Sequence, residues 1–329
     1  MSSRARQTIS SLGESALLDR IRAGAQSGIG GRVLLGPGDD CAVVSFPKDR
    51  LLLATTDEMV EGTHFLDPLY HAAPLAAKLL RINLSDIAAM GSAKPLFILC
   101  SAALPATVPQ SWMREFMKSL ARECRLFSVP LAGGNLARSE KFHLSITVIG
   151  TAGKGRVITR SGGKPGDLIF ALGALGTARA GFELYYGPSK RVQGGFRAPL
   201  VSAFWKPEPM LKQGAALSSK GLASAMLDNS DGLYKSVLFL AQASGCGADI
   251  SFGPESCAPA LKAYCAATRK DWRSYVLGGG EDYGLVFTVP PSREKKLRTA
   301  FPGAKLVGRL VSGRKVSTGG IRANPYEHF

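Results

Sequence analysis

The chain has 329 residues, more than one hydrophobic core usually serves, which implies two domains. With 45% hydrophobic and 20% charged residues it reads as an ordinary globular protein, and no apolar run approaches the roughly 18 residues of a membrane helix. A net charge of +16 suits anionic ligands, but the bases are scattered, and the densest groups (189–197 and 293–298) lack an aromatic ladder, which argues against a nucleic-acid site.

Residues 1–12 are rich in Arg and Ser and free of acids, and read as a disordered tail. Helical spacing of Leu18, Ile21 and Ala25 predicts a helix over 13–26. Strands are expected at 41–46 and 51–56, the second an apolar LLLATT that stops at Asp57. A helix over 74–90 ends at Gly91, a natural C-terminal cap. An apolar strand (96–103), a helix (109–127) and an alternating strand (142–150) follow. The segment GKGRVITRSGGKPGD is dense in glycine and base and marks the domain boundary, giving an N-terminal domain of 13–152 and a C-terminal domain of 153–329. Beyond it come a strand at 167–173, a helix from 174, a mobile loop at 185–199, and a second alternating set of elements from 208 to about 318.

The six cysteines form no CxxC pair and, with four scattered histidines, supply no zinc-ligand set; they fit a reduced, cytoplasmic protein. The acids are distributed quite differently. Ten of the 25 fall in five short segments: GPGDD (36–40), TTDEMVEGTHF (55–65), NLSDIAAMG (83–91), DNSDG (228–232) and GGGEDYG (278–284).

Each segment has an ordinary structural explanation. GPGDD is a turn composition, Ser230 or Asp231 suits a helix N-cap, and His64 suits a packed side chain. Asp86 resists such an explanation. It shares a helix face with Leu79, Asn83 and Met90, and a carboxylate near a buried face is costly unless paired or coordinating. Taken together, dispersed carboxylates on glycine-rich turns suit a hard cation such as Mg²⁺ held against phosphates. GxxxxGK[ST], complete GxGxxG, GxSxG and HExxH motifs are absent, so a nucleotide site here would lack a P-loop.

The segments GPGDDCAVV, TTDEMVEGTHF, NLSDIAAMG, LAGGN, TRSGGKPGD, DNSDGL, GGGEDYGLVFTV and the closing YEHF resemble those of the thiamine-monophosphate kinase family, within the superfamily shared with aminoimidazole-ribonucleotide synthetase. The resemblance implies a two-domain α/β and α+β fold, a homodimer whose N-terminal domains form a shared β-barrel, and an α+β C-terminal domain. It implies ATP as co-substrate, several Mg²⁺ ions and thiamine monophosphate as acceptor. Carried over by position, Asp40, Thr55, Thr56, Asp57, Asp86, Asp228 and Asp231 would bind metal, with Asn135 in place of a further aspartate. Gly134, Asn135, Arg160 and Ser230 would contact nucleotide, and His64, Glu281 and Tyr326 would contact the acceptor. Asp57, Asp86, Asp228 and Arg160 would serve catalysis.

Two positions depart from the family pattern. Asn135 stands where the family has aspartate, which removes a negative charge from the implied site, and Gly284 stands where glutamate is common. An aminoimidazole-ribonucleotide-synthetase-like enzyme and a weakly active or inactive nucleotide-binding homologue are the alternatives. TTDEMVEGTHF and YEHF fit the first poorly, and Asn135 favours the second.

Overall fold

A computed structural model describes residues 33–35, 39–46 and 49–321. The expected tail, the helix over 13–26, the first three residues of GPGDD and Tyr326 lie outside them.

The first sheet is built from β1 (Val33–Leu35), β2 (Ala42–Phe46), β3 (Arg50–Val60), β4 (Lys94–Leu104), β5 (Leu131–Arg138) and β6 (His143–Gly153), in the order β1-β2-β3-β6-β4-β5. Its pairings are antiparallel except β4 with β5. Helices α1 (Ala72–Ala89) and α2 (Gln110–Leu126) connect its strands. The core beneath them takes Leu51, Leu53 and Met59 from β3 and Leu75, Leu79 and Ile82 from α1.

β3 corrects the expected strand end at Asp57. It pairs with β6 along its whole length, from Arg50 opposite Gly153 to Val60 opposite His143, so Asp57 lies within the strand. Backbone pairing to β6 continues through residues whose polarity suggested a turn. β5 was not anticipated, because every residue in it is exposed and no burial pattern marks LAGGNLAR as a strand. Nor is a closed barrel present among the described residues of one chain: the sheet is open, with β1 and β5 at its edges.

Further helices are α3 (Thr177–Tyr185), α4 (Arg197–Trp205), α5 (Leu211–Ser219), α6 (Leu233–Ala243), α7 (Pro259–Thr268), α8 (Trp272–Gly278) and α9 (Glu294–Ala300). They flank a second sheet of β7 (Leu168–Leu172), β8 (Ala225–Asp228), β9 (Gly247–Ile250), β10 (Leu285–Val289), β11 (Lys305–Val311) and β12 (Val316–Ser317). Its order is β12-β9-β11-β7-β10-β8, antiparallel apart from the β9–β12 pair. Strands β7, β8 and β10 are buried throughout, which is why they are apolar apart from Asp228 and Thr288. Alternation sends Leu168, Phe170 and Leu172 to one core, shared with Ala88 and Ala89 of α1, and Ile169 and Ala171 to the other.

α1 therefore packs against both units, and nearly all of its residues are buried. Gly214 of α5 permits this approach, since a Cβ there would lie 2.0 Å from the Ala88 carbonyl oxygen. Of the loop expected over 185–199, Tyr185 ends α3 and residues 197–199 begin α4, and the stretch between them is tied to the second core. Ser189 hydrogen-bonds Tyr264 at 2.8 Å, and Phe196 is buried.

Candidate active site

A cavity of about 450 Å³ opens between the two sheets, within the range of small-ligand sites. Three elements bring carboxylates to it: β3 contributes Asp57, α1 contributes Asp86, and the end of β8 contributes Asp228. Asp39 and Asp40, just before β2, complete the acidic wall. One oxygen each from Asp40, Asp86 and Asp228 can be chosen so that all three lie within 4.8 Å of one another.

Neighbouring groups fix these side chains. Thr55 donates its hydroxyl to Asp86 Oδ2 at 2.6 Å, and Ser85 donates to Asp228 Oδ2 at 2.8 Å. Asn83 accepts the Asp57 amide at 2.8 Å, aligning β3 with α1. Arg160 grips Asp40 through two nitrogens, Nη2 at 2.9 Å and Nε at 3.3 Å, while its amide donates to Asp39 at 3.0 Å.

Burial raises the Asp57 carboxyl to about 6, with help from the charges of Asp231, Asp40 and Glu58. Asp39 rises to about 6 by burial and the adjacent Asp40. Asp86 and Asp228 are pushed well above the usual carboxylate range by burial first, and then by neighbouring acids. The Arg160 guanidinium is held more firmly protonated, since the attraction of Asp40 outweighs its own burial. The site thus gathers carboxylates around one cavity, which Arg160 and Arg179 also line. A cation bound by oxygen ligands relieves the repulsion among the carboxylates.

The comparisons with known proteins point the same way. Residues 38–152 match the family described as AIR synthase related protein, N-terminal domain, and residues 164–320 match its C-terminal domain. The thiamine-monophosphate kinase of Escherichia coli O157:H7 is 36% identical over 258 residues, covering 78% of this chain and 77% of its own. That of Aquifex aeolicus is 32% identical over 320 residues, covering 97% of this chain and 98% of its own. The chain belongs to the thiamine-monophosphate kinase family. A solved structure described as AaThiL complexed with AMPPCP and TMP superposes with a TM-score of 0.85 at 31% identity, covering 98% of this chain and 99% of that one. The E. coli hydrogenase maturation protein HypE, 18% identical with a TM-score of 0.66, shares the fold alone.

Of the residues expected from the thiamine-monophosphate kinase resemblance, Asp40, Thr55, Thr56, Asp57, His64, Asp86, Arg160, Asp228, Ser230, Asp231 and Glu281 all line this one cavity. Ser230 and Asp231 do not cap α6, whose N-cap is Gly232 with no side-chain cap bond. His64 has a local structural task as well, its Nδ1 accepting the Val60 amide at 3.0 Å.

Gly134 and Asn135 are not brought to the cavity within one chain. They lie on the edge strand β5, where Gly134 shares a rung with Cys100, Ile146 and Asp57. Three strand spacings place Gly134 roughly 14 Å from Asp57. Glycine is needed there, because a Cβ would lie 1.8 Å from the Cys100 carbonyl oxygen.

Sequence reasoning missed Arg179 and Phe182, which line the cavity from α3. They lie in a helix with no acidic cluster and carried no signal. It also missed that Lys78 is the ion-pair partner of Glu281, since no spacing rule connects positions so far apart.

Proposed function

We propose that this protein transfers the terminal phosphoryl group of ATP to thiamine monophosphate, producing thiamine diphosphate and ADP. The observation that carries this reading is the convergence of Asp40, Asp86 and Asp228 within 4.8 Å, in a cavity also lined by Arg160. The complex of a 31% identical neighbour with AMPPCP and TMP supports it.

The donor set fits magnesium: it is all oxygen and largely buried, and burial with mutual repulsion pushes Asp86 and Asp228 well above the usual carboxylate range. Asp40, Asp86 and Asp228 would hold it, with Asp57, Asp231, Thr55 and Thr56 as further oxygen donors beside them. When bound, magnesium supplies positive charge against the phosphates.

The chain's own residues do the rest. Arg160 neutralises charge on the nucleotide phosphates, and Ser230 contacts the nucleotide beside it. Asp57, Asp86, Asp228 and Arg160 together align donor and acceptor. His64 and Glu281 bind thiamine monophosphate, joined by Tyr326. No general base is required, because the second pKa of the acceptor phosphate, near 6, leaves it mostly dianionic at neutral pH.

The active form in this reading is a homodimer. In the open first sheet, β1, β4 and β5 expose Leu34, Leu96, Leu99, Leu131 and Leu136, apolar surface that a second copy would cover. Two such sheets would close the barrel, and the nucleotide roles of Gly134 and Asn135 belong to that assembly. A boundary between 152 and 153 divides the chain, and the reduced cysteines suit the cytoplasm. No helix of the described residues is long and apolar enough to cross a membrane.

The test is ATP-dependent conversion of thiamine monophosphate to the diphosphate by purified protein with magnesium. ATP hydrolysis without thiamine diphosphate would contradict the reading.

A further inference from the structure

Lys78 lies within α1 with its side chain 1% exposed, a rare state for lysine unless it is paired. Its ammonium sits 2.7 Å from Glu281 Oε1 and 3.7 Å from the centroid of the Phe204 ring. It does not line the cavity. Glu281 does, with its side chain 29% exposed. Lys78 engages Oε1, one of the two oxygens of a carboxylate whose residue lines the cavity.

The backbone around Glu281 is held in an uncommon shape. Glu281 and Tyr283 both adopt left-handed φ, at 64° and 50°, a conformation that non-glycine residues keep only when their surroundings over-determine it. Here the surroundings do. The Glu281 amide donates to Ser230 O at 2.6 Å. The Asp282 carboxylate accepts the amides of Gly176 and Ala178 at the start of α3. Lys78 fixes the Glu281 side chain from the opposite side.

We infer that Lys78 is a positioning residue for the acceptor end of the cavity: it engages one oxygen of Glu281 from the interior and turns the other toward the bound acceptor. A carboxylate oxygen presented this way recognises an N–H donor or a cationic heterocycle, and thiamine monophosphate offers both an aminopyrimidine and a thiazolium ring. Lys78 and Asp86 are eight residues apart on one helix, about 12 Å along its axis. α1 thus sets the heterocycle end and the phosphate end of the site on one rigid element. The inference rests on the proposed role of Glu281 as an acceptor contact.

The experiment measures KM for thiamine monophosphate and for ATP separately in wild type, Lys78→Met, Lys78→Arg, Glu281→Gln and the Lys78→Met/Glu281→Gln double variant. Methionine keeps the length of the chain without the charge, so the core stays filled. The expected result is an acceptor KM raised about tenfold or more in Lys78→Met, with the ATP KM within about twofold of wild type. Lys78→Arg, which keeps the charge but moves it, should fall between. The double variant should be no worse than the worse single one, since both act through one contact.

Equal rises in both KM values, or an unchanged acceptor KM in folded Lys78→Met, would overturn the inference. Should Lys78→Met fail to fold, Lys78→Arg decides, and a wild-type acceptor KM in that variant overturns it. A wild type that neither binds nor phosphorylates thiamine monophosphate overturns this inference and the kinase reading together. An active wild type with indifferent Lys78 variants overturns this inference alone.

Discussion

Ser85 and Asp228 are 143 positions apart in sequence, yet the serine hydroxyl donates to Asp228 Oδ2 at 2.8 Å, wholly inside the protein. The same hydroxyl lies 3.3 Å from the Tyr283 carbonyl oxygen. This contact ties α1 to the strand end at the cavity floor. Ser85→Ala leaves a buried carboxylate without its donor and should cost about 1–3 kcal/mol of stability. Denaturant unfolding measures it, and a variant as stable as wild type would remove Ser85 from the account.

Asp86→Asn and Asp228→Asn separate function from stability. Each removes one carboxylate from the acidic cluster, so each should lower phosphoryl transfer by about 100-fold or more. In magnesium-free buffer the same variants should melt no lower than wild type, because a neutral amide removes like-charge repulsion. The paired readouts are ADP release and thermal unfolding in the presence of a chelator. Active variants would contradict the assignment.

Glu183 predicts the acid limb of stability. Burial would raise its carboxyl, but hydrogen bonds from Lys270, Tyr275, Tyr264 and Arg179 outweigh it and hold the group down at about 2. Because the folded value lies below the unfolded one, the contribution is present above the unfolded pKa and disappears as pH falls from about 4.5 toward 2. Its size is on the order of 3 kcal/mol. Glu183→Gln should therefore be destabilised at pH 7 and lose that deficit near pH 2, which unfolding curves across pH would reveal. A deficit independent of pH would contradict the sign.

Leu136, 67% exposed on edge strand β5, tests the assembly. Leu136→Asp should convert a dimer to monomers in light scattering, since a charge on a covered apolar edge opposes pairing. A wild type that is monomeric at assay concentration would remove the closed barrel from the proposal.

Much of the cavity was legible because its chemistry is local in sequence. Asp40, Asp57, Asp86, Asp228 and Glu281 sit in short segments that contain no lysine or arginine of their own. The relevant pairings were invisible for the complementary reason. Lys78 with Glu281, Arg160 with Asp40 and Ser85 with Asp228 join distant segments, and nothing in a linear pattern encodes them. The continuation of β3 past Asp57 was hidden because β6, not side-chain polarity, sustains it. β5 was hidden because an exposed strand carries no alternation. α1 was easy to find, but its packing against both units could be read only from its burial on every side.

The most direct measurement follows the phosphoryl group itself, using ATP radiolabelled at the γ-position with thiamine monophosphate and magnesium. The account predicts label in thiamine diphosphate for wild type and little or none for Asp228→Asn. Label released only as inorganic phosphate, or equal transfer by both proteins, would contradict it.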